Sequence, residues 1–195
     1  MADRKATVTR ETKETSVKVT LDLDGKGQYD LMTGIRMFEH LLEQLGHHGM
    51  FDLRVSANGP DVHHVVEDVA ICLGKAFNRA LGDKAGIVRI VSAVVPMDEA
   101  LALVAVDIGG RGFAEIDVQF SDKNIADLPS DLVRHFLVSF AVEGRFTLHA
   151  RVLAGVNDHH KAEAVFKALA RALDAATRHE PRLAGRVPST KELIE

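Results

Sequence analysis

Residues 16–24 (SVKVTLDLD) alternate apolar and polar side chains, the period of a strand with one buried face, and the Gly25-Lys26-Gly27 turn closes it. From Thr33-Gly34 the period lengthens. Ile35, Phe38, Leu41, Leu42 and Leu45 share one side of a helix running to about Leu45. A strand over 51–57 follows, and then a helix over 63–81 whose apolar face carries Val66, Val69, Ala70, Leu73, Phe77 and Ala80. The same order returns downstream as strands 100–107 and 112–120, helix 132–142, strand 146–152 and helix 159–177. Strands followed by helices, repeated, predict an α+β fold with helices packed on one face of each sheet.

The return is literal as well as periodic. His63-His64-Val65-Val66-Glu67 recurs as His159-His160-Lys161-Ala162-Glu163 at a shift of 96. His40-Leu41-Leu42 recurs as His135-Phe136-Leu137 at a shift of 95, where Gly49, Phe51 and Leu53 also meet Gly144, Phe146 and Leu148. The chain therefore reads as one domain over 1–195 made of two repeats, about 1–95 and 96–195, packed as one body.

Helical geometry decides which way the repeated histidines point. At about 100° per residue from Phe38, the apolar face covers roughly 300° to 60° and His40 falls near 200°. His135 takes the same angle in its own helix. In the helices at His63 and His159 the Glu four residues on lies about 40° away, while the adjacent histidine diverges by about 100°. Each helix offers two imidazoles and a carboxylate away from its apolar side, a donor set that suits Mn, Fe, Co, Ni or Zn better than Ca or Mg. Because the paired histidines diverge, the economical arrangement is two ions, each drawing ligands from both helices or from different subunits. Glu67 and Glu163, with Asp68 nearby, are expected to be ionised and so offset the positive helix N-termini.

Composition narrows the class further. With 195 residues, 46% hydrophobic and 27% charged, the chain can build a real core. No apolar run reaches the length of a membrane span, and the first residues lack a signal peptide's hydrophobic stretch, so a cytoplasmic protein is expected. The single cysteine, Cys72, suits a reducing compartment. A net charge of −4, no Trp and one Tyr argue against nucleic-acid binding. Glu14 lies in an acidic and basic stretch that reads as a charged strand edge or as a functional carboxylate. Arg89 and Arg111 stand among apolar and glycine neighbours, where they would pair with a carboxylate or hold an anion. Ser189-Thr190-Lys191 reads either as a phosphate contact or as a flexible tail, and residues 96–100 (PMDEA) as a tight turn entering a strand. Chemistry alone thus reaches a protein with two mixed nitrogen and oxygen metal sites.

The segments RxTKET (10–15), TGIxxFEHLLxQLxxHGxFDL (33–53), HHxxED (63–68), GIxR (86–89), PMDEAL (96–101), TLH (147–149), NxHHxxEAxFKAxARAL (157–173) and PSTK (188–191) resemble the imidazoleglycerol-phosphate dehydratase family of histidine biosynthesis. The match runs in order over nearly the whole chain. Val62 departs from it, standing where the family commonly has an acid before the histidine pair.

The resemblance implies a duplicated unit like ribosomal protein S5 domain 2, and a homo-oligomer of twenty-four subunits with active sites between them. It implies two Mn(II) ions per active site, with His40, His63, His64, Glu67, His135, His159, His160 and Glu163 as ligands. It implies Glu14 as the catalytic acid/base, His48 lining the substrate site, and Arg89, Arg111, Ser189 and Lys191 holding the phosphate. The implied reaction removes water from imidazole glycerol phosphate to give imidazole acetol phosphate. Two alternatives share the same residues: a metal-binding assembly protein without catalysis, and another dinuclear metalloenzyme acting on a small phosphorylated substrate.

Overall fold

The computed structural model describes residues 3–194. In chain order its elements are β1 (Lys5–Glu11), β2 (Ser16–Asp22), β3 (Tyr29–Met32), α1 (Arg36–Gly49), β4 (Asp52–Asn58) and α2 (Val62–Leu81). The second half follows with β5 (Ile90–Met97), β6 (Ala100–Asp107), β7 (Phe113–Asp117), β8 (Asn124–Ile125), β9 (Leu128–Pro129), α3 (Asp131–Gly144), β10 (Thr147–Ala154) and α4 (Asp158–Thr177).

The two four-stranded sheets have the same construction. Their orders are β1-β2-β4-β3 and β5-β6-β10-β7, and in each the last pair is parallel while the others are antiparallel. Alternation sets the register: Val8, Val19 and Val55 form one inward cross-strand row, and Ala93, Val104 and Ala150 form its counterpart. The outward residues of β2, Ser16, Lys18 and Thr20, meet solvent or polar neighbours.

The four helices lie between the sheets. Helix α2 packs on β1 and β2 and α4 on β5 and β6, while α1 crosses against α4 and α2 against α3. The main helix pairings therefore run across the repeat. Their shared core is aromatic: Phe38 meets Phe136 with ring centroids 5.4 Å apart, Phe136 meets Phe166 at 5.4 Å, and Phe77 meets Phe146 at 5.4 Å. Each of these rings is at most 1% exposed, and each pair is of the kind that adds to plain area burial. The matched glycines have a packing reason. A Cβ on Gly49 would lie 2.6 Å from the Phe51 ring, and one on Gly144 would lie 2.6 Å from the Phe146 ring, so each lets the aromatic two residues on fold against its helix end.

Five strands go beyond the periodic reading; two of them, β8 and β9, have two residues each and are too short to show a period. β1, β3 and β5 are edge strands: β1 and β3 bury few residues, and β5 exposes apolar Ile90 and Val94, which masks its alternation. Helix α1 starts at Arg36 and runs on to Gly49, past the expected end at Leu45, and Met50 caps it in the left-handed conformation (φ 56°). β7 is shorter than the expected 112–120 strand. The 96–100 segment does form a turn, with Asp98 and Glu99 joining β5 to β6. Among the described residues no helix is long and apolar enough to cross a membrane.

Candidate functional site

Helix ends carry the chemistry. Asp61 caps α2 by accepting from the backbone N–H of His63 (2.7 Å) and His64 (3.3 Å), and Asn157 caps α4 by accepting from His159 (2.9 Å) and His160 (3.3 Å). Each cap fixes the first helical turn and with it the direction of both imidazoles. In this chain the acid before the first histidine pair is Asp61, one position ahead of Val62, and it serves as the cap.

The cross-repeat helix pairing brings three donors together twice. His40 of α1 meets His159 and Glu163 of α4, and His135 of α3 meets His63 and Glu67 of α2; within each group the donor atoms all lie within 4.8 Å of one another. In the first group His40 Nε2 and His159 Nε2 lie 3.1 and 3.2 Å from Glu163 Oε2. In the second, His135 Nε2 lies 3.5 Å from Glu67 Oε1. That nitrogen is buried and has no hydrogen-bond partner. An orphaned buried imidazole nitrogen beside a second imidazole and a carboxylate fits a divalent transition-metal ion, which would satisfy it.

The electrostatics of the first group agree with that fit. Burial alone would raise the Glu163 carboxyl, but the Lys167 ammonium at 2.6 Å and the His40 hydrogen bond outweigh it and hold the pKa down at about 2. Glu163 is thus an anion at neutral pH. Asp68 also has partners of its own: its buried carboxylate is bound by Arg10 Nε (2.6 Å) and by the Thr15 hydroxyl, so it ties the β1–β2 hairpin to α2.

His64 and His160 join neither group. Their ring centroids lie 5.9 and 6.1 Å from those of His63 and His159, with the ring planes at 90°. Each meets a carboxylate from the hairpin turn of its own sheet: His64 Nδ1 lies 3.3 Å from Glu14 Oε2, and His160 Nδ1 lies 2.7 Å from Glu99 Oε2. The backbone N–H of Asn157 and the His160 ring hold the Glu99 pKa down at about 2, and the Glu99 carboxylate in turn raises that of His160.

Arg89, Arg111, Ser189 and Lys191 line one cavity of about 1100 Å³, together with Arg186. Arg89 is already engaged. It donates to both oxygens of Asp107 (2.6 and 3.1 Å) and to the Pro188 carbonyl (2.7 Å), which draws the C-terminal segment over the cavity. Arg111 stays exposed. His48 lies elsewhere, in a cleft with His47, Arg171 and Arg178, and its pKa is lowered by burial and then by Lys167 and the other neighbouring cations. Cys72 is buried with its thiol pushed up to about 11, so it is inert.

The family model described as imidazoleglycerol-phosphate dehydratase matches residues 33–173. The chain belongs to that family. The dehydratase of Dehalococcoides mccartyi is 58% identical over 195 residues, covering all of both chains, and that of Chloroflexus aggregans is 54% identical over 194 residues, covering 98% of this chain and 95% of the relative. The crystal structure of the imidazoleglycerol-phosphate dehydratase from Staphylococcus aureus superposes with a TM-score of 0.83 at 31% identity, over 90% of this chain and 99% of that one. The enzyme from Pyrococcus furiosus, crystallised with (S)-C348, gives 0.83 at 33% identity over 95% and 99%. This chain is accordingly a member of a hydro-lyase family of histidine biosynthesis.

For this dehydratase-family chain, six of the eight sequence-predicted ligands meet in two triads, and the other two face hairpin carboxylates. The four anion-binding candidates share a cavity, and the cavity beside His40, His159 and Glu163 has no lining residue in common with it. Two participants escaped the sequence reading. Lys167 carried a local signal, standing four residues after Glu163. Glu99 carried none beyond its acidic turn, because its partner is 61 residues away.

Proposed function

We propose that this chain dehydrates D-erythro-imidazole glycerol phosphate to imidazole acetol phosphate, using two Mn(II) ions, in active sites formed between copies of a cytoplasmic 24-mer, each copy acting as a single domain of two repeats. The observation that carries the proposal is the pair of His-His-Glu triads, one from each cross-repeat helix pair, with the His135 nitrogen left unsatisfied. When bound, the metal supplies positive charge at the substrate's ring nitrogens and so favours the deprotonated ring, which compensates for the weak acidity of a proton beside an imidazole.

The chain's own residues do the rest. Glu14 sits at the tip of the β1–β2 hairpin with its side chain 64% exposed, free to take the proton from carbon and pass it on. His64 stands beside that carboxylate. Arg111, Lys191 and Ser189 supply charge and hydroxyl for the phosphate, while Arg89, locked to Asp107 and Pro188, shapes the cavity and adds its field. His64 and His160 point away from their own chain's triads, which supports a neighbouring copy as the source of each triad's remaining imidazole. His48, in its separate cleft, would reach substrate only across such a contact. The test compares Mn(II)-reconstituted and metal-free protein supplied with imidazole glycerol phosphate. Imidazole acetol phosphate should form only with metal, and equal yields would overturn the reading.

A further inference from the structure

The two hairpin carboxylates are held in different ways. The β1–β2 and β5–β6 hairpins occupy the same place in their two sheets, and each turn delivers one carboxylate to the second histidine of the adjacent helix. Among the described residues the Glu14 carboxylate has one polar partner, His64 at 3.3 Å, and it accepts no backbone N–H. Glu99 is clamped. Its Oε1 accepts from the backbone N–H of Val156 (3.1 Å) and Asn157 (2.8 Å), which leaves Oε2 aimed at His160 Nδ1 at 2.7 Å. An ionised carboxylate only accepts, so Nδ1 of His160 carries a proton, and in the neutral ring Nε2 is then the nitrogen with its lone pair free. The nearest acid to that nitrogen, Asp98 at 3.7 Å, is too far for a hydrogen bond and its side chain is largely exposed.

From this asymmetry we infer that Glu99 is a positioning residue: pinned by the backbone ahead of α4, it fixes the tautomer and direction of His160 so that Nε2 is presented to a metal ion. The two repeats thus use their hairpin carboxylates differently. The free carboxylate, Glu14, is left for proton transfer, and the clamped one, Glu99, aims a ligand. The inference rests on the proposed metal-binding role of His160.

The test is a Mn(II) titration of the metal-free full chain, with free Mn(II) counted by electron paramagnetic resonance, for wild type, Glu99→Gln, Glu99→Ala, His160→Ala and the double variant Glu99→Gln/His160→Ala. Loss of an outer partner of a metal-bound histidine typically weakens metal binding by about 10–100-fold. A loss of that size is expected for one ion of the two in Glu99→Ala, and a loss at the same ion in Glu99→Gln, whose single amide oxygen cannot serve both the ring and the backbone. The double variant should bind that ion no more weakly than His160→Ala does, because the two residues act as one unit. Wild-type affinity for both ions in Glu99→Gln and Glu99→Ala would overturn the inference. So would additive losses in the double variant, the signature of a role confined to the loop. Should Glu99→Ala fail to fold, the near-isosteric Glu99→Gln and its double variant carry the test alone. A wild-type chain that binds no Mn(II) would instead overturn the metal reading, and this inference with it.

Discussion

Gly74→Ala puts one methyl group at the crossing of α2 and α3, and its consequence for the metal triads follows from distances. A Cβ on Gly74 would lie 2.7 Å from Glu143 Cβ, 2.7 Å from the Gly144 nitrogen and 2.8 Å from the Phe140 carbonyl oxygen, all on α3. Ordinary contact begins near 3.4 Å, so the helices must part by about 0.7 Å. Overpacking of this kind costs about 1–3 kcal/mol, and alanine returns about 1 kcal/mol through helix propensity. The net cost is up to ~2 kcal/mol, or a fall of up to ~8 °C in Tm for a chain this size. Metal–ligand distances tolerate about 0.2 Å, so a 0.7 Å displacement of His135 from His63 and Glu67 should impair that triad. The other triad sits where α1 crosses α4, a separate contact at which the counterpart of Gly74 is already Ala170. Its donors should stay in place. Circular dichroism melting of the metal-free chain and Mn(II) titration are the assays: a lowered Tm together with one weakened and one unchanged ion is expected. An unaltered Tm with two wild-type affinities would refute the packing argument, and equal weakening of both ions would refute the assignment of separate triads to separate helix pairs.

Three further outcomes follow from the same geometry. Because the folded-state pKa of Glu163 lies at about 2, below its ordinary 4.5, the carboxylate stabilises the metal-free chain above pH 4.5, and this contribution is lost as pH falls from 4.5 towards 2. Glu163→Gln should therefore be less stable at pH 7 and lose less stability through that window; parallel denaturation curves for the two proteins would contradict this. Glu14→Gln should retain wild-type metal content while product formation drops by about 10²–10⁴-fold, the range for loss of a general acid/base, and unchanged turnover would remove Glu14 from the mechanism. If His64 and His160 are shared with neighbouring copies through metal, chelation should shrink the particle in sedimentation velocity, and an unaltered profile would separate assembly from metal.

Local patterns reach only as far as a single element. The i, i+4 spacing of His63 with Glu67 and His159 with Glu163 is a property of one helix, so their convergence was legible before any fold was known. The off-core direction of His40 and His135 was legible for the same reason. The edge strands β1, β3 and β5 were not, because β1 and β3 bury too few residues to set a pattern and β5 carries apolar Ile90 and Val94 on its exposed side, which hides the alternation. The partner of Asp68 was not legible, because its sequence proximity to His64 says nothing about Arg10, 58 positions away, which holds it.

By itself the sequence determined that the fold is a duplicated α+β unit, that six histidines and two glutamates form matched sets, and that adjacent histidines diverge around their helix, since all of these follow from repeat spacing and helical angle. Tertiary structure alone decided that the helices pair across the repeat, joining His40 to α4 and His135 to α2, because that choice depends on how two aromatic faces pack between two sheets. It also decided which hairpin carboxylate is free and which is clamped. A hydrogen bond between residues 61 apart exists only once the β5–β6 turn and the start of α4 have been brought together by the whole second sheet.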